Sequence, residues 1–144
     1  MTTTDWILLA TAVATFVTAI VLFLQVSKLT AQLKAQVFSD YTKRYQDIIL
    51  HFPEDVNEKK FILSRERQDY AQTMRYIRAY FDLCYEEWYL HRHKKIDADT
   101  WTQWKSGMGS AFSKNAFKQA WDIVKQDTTY GDEFVRFVEN LLAK

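Results

Sequence analysis

The stretch Trp6 to Val26, WILLATAVATFVTAIVLFLQV, carries no formal charge over about 21 residues, the length a helix needs to cross the hydrocarbon core of a bilayer. In lipid a single segment satisfies its backbone groups only as a helix, so the rest of the chain is expected to be what one anchor holds at a membrane face. A cleaved signal peptide fits less well. The opening MTTTD has an acidic Asp5 and no basic residue, and the apolar run exceeds a usual signal core. Lys28, Lys34, Lys43 and Arg44 all follow the span and none precedes it, which predicts a cytoplasmic C-terminal side and places Trp6 at the outer interface.

Small residues recur four apart within the span. Ala10, Ala14 and Thr18 lie on one edge and Thr11 and Thr15 beside it, a spacing that lets two membrane helices approach closely. The stripe then continues through Leu22, Val26, Leu29, Leu33, Val37 and Tyr41 to Tyr45 and Ile48 in steps of three and four, with no glycine or proline until Pro53. One helix is therefore expected to reach about His51, roughly 65 to 70 Å at 1.5 Å per residue. Beyond the lipid its apolar side needs cover, from the chain's own later helices or from another copy.

With three glycines and one proline the chain has little material for hairpins, and its periodic segments predict helices. Pro53, Glu54 and Asp55 suit a helical start, with a short segment to Leu63 and a break near Ser64. Arg65 to about His93 is the strongest soluble helix, its seam running through Tyr70, Met74, Ile77, Phe81, Cys84 and Trp88, with Thr73 and Arg75 as polar flank. The basic run His91 to Lys95 closes that helix, and Asp97 or Asp99 caps the next, whose apolar face holds Trp101, Trp104, Met108 and Phe112. Gly107 and Gly109, followed by Ser110 and Ser113, mark a bend or a restart. Phe117, Trp121 and Val124 mark a further helix, and Asp132 is expected to cap the last one, built on Phe134, Val135, Val138, Leu141 and Leu142.

The expected fold class is all-α. A single N-terminal transmembrane helix (6–26), after an external N-terminus (1–5), continues into a long cytoplasmic extension (27–52) and is followed by a small helical bundle (53–144). Expected core residues are Tyr70, Met74, Ile77, Phe81, Cys84, Trp88, Trp101, Trp104, Phe117, Trp121 and Phe134. The series YFDLCYEEWYLHRHKKID, then Trp101, Trp104 and Gly107, then AF, FKQAW and EFVRFV, resembles small bacterial proteins with one N-terminal membrane helix and a cytoplasmic helical domain of unknown function. That resemblance implies fold and topology and brings no active-site residue with it; the expected location is the inner membrane, crossed once with the N-terminus outside.

Basic and acidic residues are nearly balanced, 19 against 18, too even to point to a nucleic-acid duplex. A lone cysteine, Cys84, cannot form an internal disulfide and suits a reducing compartment as a buried thiol. Glu86, Glu87, His91 and His93 invite a metal reading, but no His stands three positions after either glutamate, and Glu87 with His91 supplies too few ligands; an exposed Glu–His pair is expected. No phosphate loop, nucleophile elbow or HExxH motif is present. No catalytic residue, metal or cofactor is therefore expected, and the chain is not expected to be an enzyme.

Binding has more support. Arg75, Arg78, Asp82, Tyr85 and Tyr89 lie along one flank of the central helix, with Arg92, Lys94 and Lys95 at its end. Several such flanks brought together by oligomerisation suit a small anionic ligand, phosphorylated and base-containing, held by Arg75, Arg78, Tyr85, Tyr89 and Arg92 through charge and stacking. The plainer expectation is a solvated flank with local ion pairs. The run His91 to Lys95 also suits anionic lipid head groups. The expected function is a membrane-anchored, non-catalytic interaction or assembly module whose partners are the bilayer and either further copies or another membrane protein. The alternative is an oligomeric membrane effector gated by a nucleotide-like cytoplasmic ligand, and the lesser one an enzyme of unknown class.

Overall fold

The computed structural model describes residues 2–143. Its elements are α1 (Thr3–Ile49), a 3-10 turn (Glu54–Asn57), α2 (Tyr70–Arg92), α3 (Ala98–Phe112), α4 (Asn115–Asp127) and α5 (Asp132–Leu142), with no strand among the described residues. The fold is all-α, a long N-terminal helix followed by smaller helices packed as a bundle. The chain divides into two compact units, Met1–Ser39 and Asp40–Lys144.

In the first unit, α1 opens on a reciprocal cap. The Thr2 backbone N–H donates to the Asp5 carboxylate at 2.7 Å, and the Asp5 N–H donates to the Thr2 hydroxyl at 3.3 Å, so two donors of the first turn are satisfied. The apolar stretch beyond is long enough to cross a membrane, and none of its most apolar 18-residue window is buried. Ala10, Thr11, Ala14, Thr15 and Thr18 are all exposed. The hydroxyls of Thr11, Thr15 and Thr18 donate to the carbonyls of Ile7, Thr11 and Ala14 at 2.8, 2.9 and 2.8 Å. Threonine is therefore satisfied within its own helix and tolerable in an apolar medium without a partner chain. Leu22, Val26, Leu29 and Leu33 are each more than half exposed, and Val37 is half-buried.

The second unit begins at Asp40, ahead of Pro53, because the end of α1 belongs to the bundle: Ile48 is buried and Tyr41 packs on the core. The helix stops at Ile49, where the N–H groups of His51 and Phe52 turn to the carbonyls of Ile48 and Ile49, a tightened final turn before Pro53. From Glu58 to Asp69 the chain is not helical, which corrects the expected start of α2 at Arg65. Arg67 explains why. Its guanidinium donates to Asp55 through Nη1 and Nη2 at 2.9 and 3.1 Å and to Asp69 through Nε and Nη2 at 2.9 Å each, and lies 4.7 Å from the Phe61 ring centroid. Gln119 of α4 holds the same segment by accepting from Leu63 N–H at 2.9 Å and donating to the Phe61 carbonyl at 3.0 Å.

α2 ends where Lys94 adopts φ 55° and Lys95 N–H returns to the Leu90 carbonyl at 2.9 Å, a left-handed closure with lysine where glycine is usual. Asp97 caps α3 by accepting from Thr100 N–H at 2.9 Å. α3 then runs straight through Gly107 and Gly109, so the expected bend is absent; the restart falls at Ser113 and Lys114. Gly131, not Asp132, is the cap residue of α5, and Asp132 stands in its first turn.

Phe81 lies at the centre of the core, fully buried, its ring 5.0 Å from that of Phe112 and 4.9 Å from that of Trp121. Met74, Ile77, Cys84, Phe117 and Phe134 are buried with it, while Tyr70, Trp88, Trp101 and Trp104 are half-buried at its edge. Thr73, expected on the polar flank, is 1% exposed, and its hydroxyl has no hydrogen-bond partner among the described residues. α2 packs against both α3 and α4, so it is covered on more than the side its seam marks.

Candidate functional site

The last turns of α2 and the first of α5 enclose a cleft of about 510 Å³. From α2, Tyr85, Tyr89 and Arg92 project into it at spacings of four and three residues, so one helix face delivers all three. Trp88 and His93 complete that wall; Asp132, Glu133 and Arg136 form the other. Tyr85 packs 6.0 Å from Trp88 and edge-on to Phe134 at 5.2 Å, which fixes its ring against the core. Tyr89 lies 4.1 Å from His93 and is about half exposed.

Arg92 donates to Glu133 at 2.6 Å and lies 5.7 Å from the Trp88 centroid. Both members of that ion pair are more than half exposed. Such pairs contribute about 0–1 kcal/mol, so an incoming anion can displace Glu133 at little cost. Arg136, reaching in from α5, is a guanidinium that sequence periodicity alone had not placed here; its position depends on the packing of α5 against α2. Two guanidinium groups beside three aromatic faces suit a planar anionic ligand, while Asp132 and Glu133 weigh against a polyanion.

Arg75 and Arg78 stand apart from this cleft. Arg78 is engaged by Asp127 of α4 at 2.5 Å, and Arg75 is exposed ten residues before Tyr85, roughly 15 Å along the helix at 1.5 Å per residue. Of the five expected ligand residues, the structure groups three and leaves two elsewhere.

The carboxylates of α2 have separate roles. Arg44 forks onto Glu86 at 2.6 and 2.9 Å, and the Tyr41 hydroxyl donates to the same carboxylate at 3.1 Å. Hydrogen bonding from Arg44 holds the Glu86 carboxyl below its ordinary range. Tyr41 in turn stacks on Trp104 with centroids 5.0 Å apart, so α1's end, α2 and α3 meet at one clasp. Its neighbour Glu87 is 7% exposed, and burial pushes its carboxyl up to about 8, against the opposing attraction of Arg44. This corrects the expectation of an exposed Glu87–His91 pair. His91 instead stacks on Trp101 at 4.2 Å, and burial lowers its basicity.

Among the described residues, no three of His, Cys, Asp and Glu converge as a metal site. Cys84 is 1% exposed, and burial pushes its thiol well above the ordinary range, which leaves it a packing residue rather than a nucleophile. Compared with protein-family models, curated proteins and solved structures, the chain has no significant match. Function must therefore be argued from these residues themselves.

Proposed function

We propose that this chain is a membrane-anchored, non-catalytic assembly module, crossing the inner membrane once with its N-terminus outside and its bundle in the cytoplasm. The observation that carries this is the apolar window of α1, none of which the protein buries. Leaving that surface in water would cost about 25 cal/mol per Å² of apolar area, so lipid is its natural cover. Orientation is supported by the basic residues Lys28, Lys34, Lys43 and Arg44, all after the span. Assembly is supported by Leu22, Val26, Leu29 and Leu33, exposed in sequence register along α1.

The test is the mass of the full chain extracted in mild detergent, before and after Leu29→Lys with Leu33→Lys. An oligomer that falls to a monomer with unchanged helicity is the expected result. A wild-type monomer, or an oligomer indifferent to both lysines, would remove assembly through this seam. Release of the wild-type protein by alkaline carbonate would remove the anchor itself.

A second reading, a ligand-responsive membrane effector, is favoured by the cleft that collects Tyr85, Tyr89 and Arg92. Its chemistry suits a single-phosphate nucleotide, with the base on an aromatic face and the phosphate displacing Glu133 from Arg92. The expected result is that adenosine monophosphate raises the thermal midpoint of the wild-type protein but not that of Tyr89→Ala or Arg92→Gln. Equal shifts in all three proteins would exclude the cleft as its site.

A further inference from the structure

A second cleft, of about 390 Å³, opens in the other half of the bundle where the end of α1, the 3-10 turn, α3 and the start of α4 meet. Two aromatic pairs form its walls. Phe52 meets Phe117 edge-on with centroids 5.6 Å apart, and Tyr45 lies against Tyr80 at 6.1 Å. Its volume falls in the range of sites for small organic molecules, and its lining is mixed, with Asn57, Ser110 and Lys114 beside the aromatic and aliphatic side chains.

The α3 wall is the informative one. Gly107 lines the cleft ten residues into a fifteen-residue helix, where glycine is among the poorest residues because it leaves the unfolded chain most free. No local conformation requires it, since no glycine here has positive φ. No neighbour requires it either, because a Cβ at Gly107 would meet nothing within 4 Å. Gly109 differs, its Cβ position touching Leu141 of α5 at 4.0 Å. What the glycine at 107 does accomplish is to leave backbone bare at the cleft surface, the arrangement that permits close approach of a ligand.

The cleft has a cation where α4 begins. Lys114 lines it, half-buried, and is also the cap residue of α4, whose first N–H groups receive no side-chain cap from it. A lysine beside the positive end of a helix attracts an anion. Glu54, exposed, also lines the cleft, from the 3-10 turn that packs against α4.

We propose that this cleft binds a small planar aromatic carboxylate, its ring among Tyr45, Phe52 and Phe117 over the Gly107 backbone and its carboxylate toward Lys114. The site is independent of the membrane anchor and of the Tyr89 cleft, and stands or falls apart from both.

The probe is 2-naphthoate, titrated by calorimetry into the full chain held in lipid discs, with empty discs as the blank. Saturable binding by the wild-type protein is expected, with loss in Gly107→Leu and about tenfold weakening in Lys114→Gln, the range for losing a charged hydrogen-bond partner. Gly107→Ala separates the site from the fold: its thermal midpoint should rise, as alanine is the better helix former, while its affinity for the probe falls. No saturable binding by the wild-type protein overturns the proposal, as does undiminished affinity in Gly107→Leu. Equal or tighter binding of 2-naphthylmethylamine would assign the polar end to Glu54 and overturn the anionic assignment.

Discussion

A Phe81→Ala protein should unfold at least about 10 °C below the wild type, the largest loss expected from a single substitution in the bundle. Phe81 is fully buried and its ring contacts Phe112, Phe117 and Trp121, so truncation removes an aromatic side chain from the point where α2, α3 and α4 converge. Such truncations cost about 3–5 kcal/mol, part for lost transfer and part for the cavity left behind. In a domain of about 100 residues each kcal/mol moves the midpoint by about 4–8 °C. The measurement is loss of helical ellipticity on heating, with tryptophan emission, to which all five tryptophans contribute, as a second probe. A drop of only a few degrees would mean that the ring cluster is not the centre of the core. Phe81→Leu, which keeps most of the volume, should lose much less.

Glu87→Gln should stabilise the protein at pH 8 by about 2–4 kcal/mol and leave it nearly unchanged at pH 4.5, with the gain growing between those limits. The sign follows from burial. The folded protein holds the Glu87 proton up to about pH 8, whereas the unfolded chain releases it near the ordinary value of 4.5. Across that window the folded state binds the extra proton, so stability contributed by Glu87 is present below the unfolded pKa and is lost as pH rises through the folded one. Glutamine cannot ionise and removes that slope. Arg44 opposes the shift, while Glu86 reinforces it. Tyr80 and Cys84, whose own ionisations are pushed upward in part by Glu87, are neutral throughout this range. Denaturant midpoints for both proteins at half-unit pH intervals test it. Parallel curves from pH 4.5 to 8 would show that water reaches the carboxyl.

The contrast between these residues shows what was legible in advance. Phe81 could be placed in the interior because its neighbours in the seam, Ile77 and Cys84, recur at helical spacing, and spacing is a property of adjacent residues. Glu87 shares helical register with Leu83 and Leu90, at steps of four and three, but a carboxylate at such a position reads from the chain as solvated, since a charged side chain is buried only where other elements cover it. What buries it is the arrival of other elements, with Tyr41 and Arg44 more than forty positions away capturing Glu86 beside it. The same cause hid Thr73. It also misplaced the start of α2, because Arg67, Asp55 and Asp69 form an ionic clamp that competes with helix over a stretch whose local propensities permit either. The stretch Gly107 to Ser113 does hold a restart, but it falls at Ser113, and α3 carries both glycines through.

Local information alone determined the helical class, the long apolar opening helix and its approximate end, and the seams of the later helices, since each depends on periodicity or on breakers such as Pro53. The capping pair Thr2 and Asp5 was equally local, a T-x-x-D pattern at a helix start. Tertiary structure alone decided which polar side chains enter the core, that Tyr85, Tyr89 and Arg92 share a cleft with Arg136 while Arg75 and Arg78 do not, and that Gly107 shares another with Phe52 and Phe117. The physical reason is reach. A helix repeats within four residues and announces itself, whereas clefts and clasps join groups forty or more positions apart, whose meeting is set by the packing of whole helices against one another.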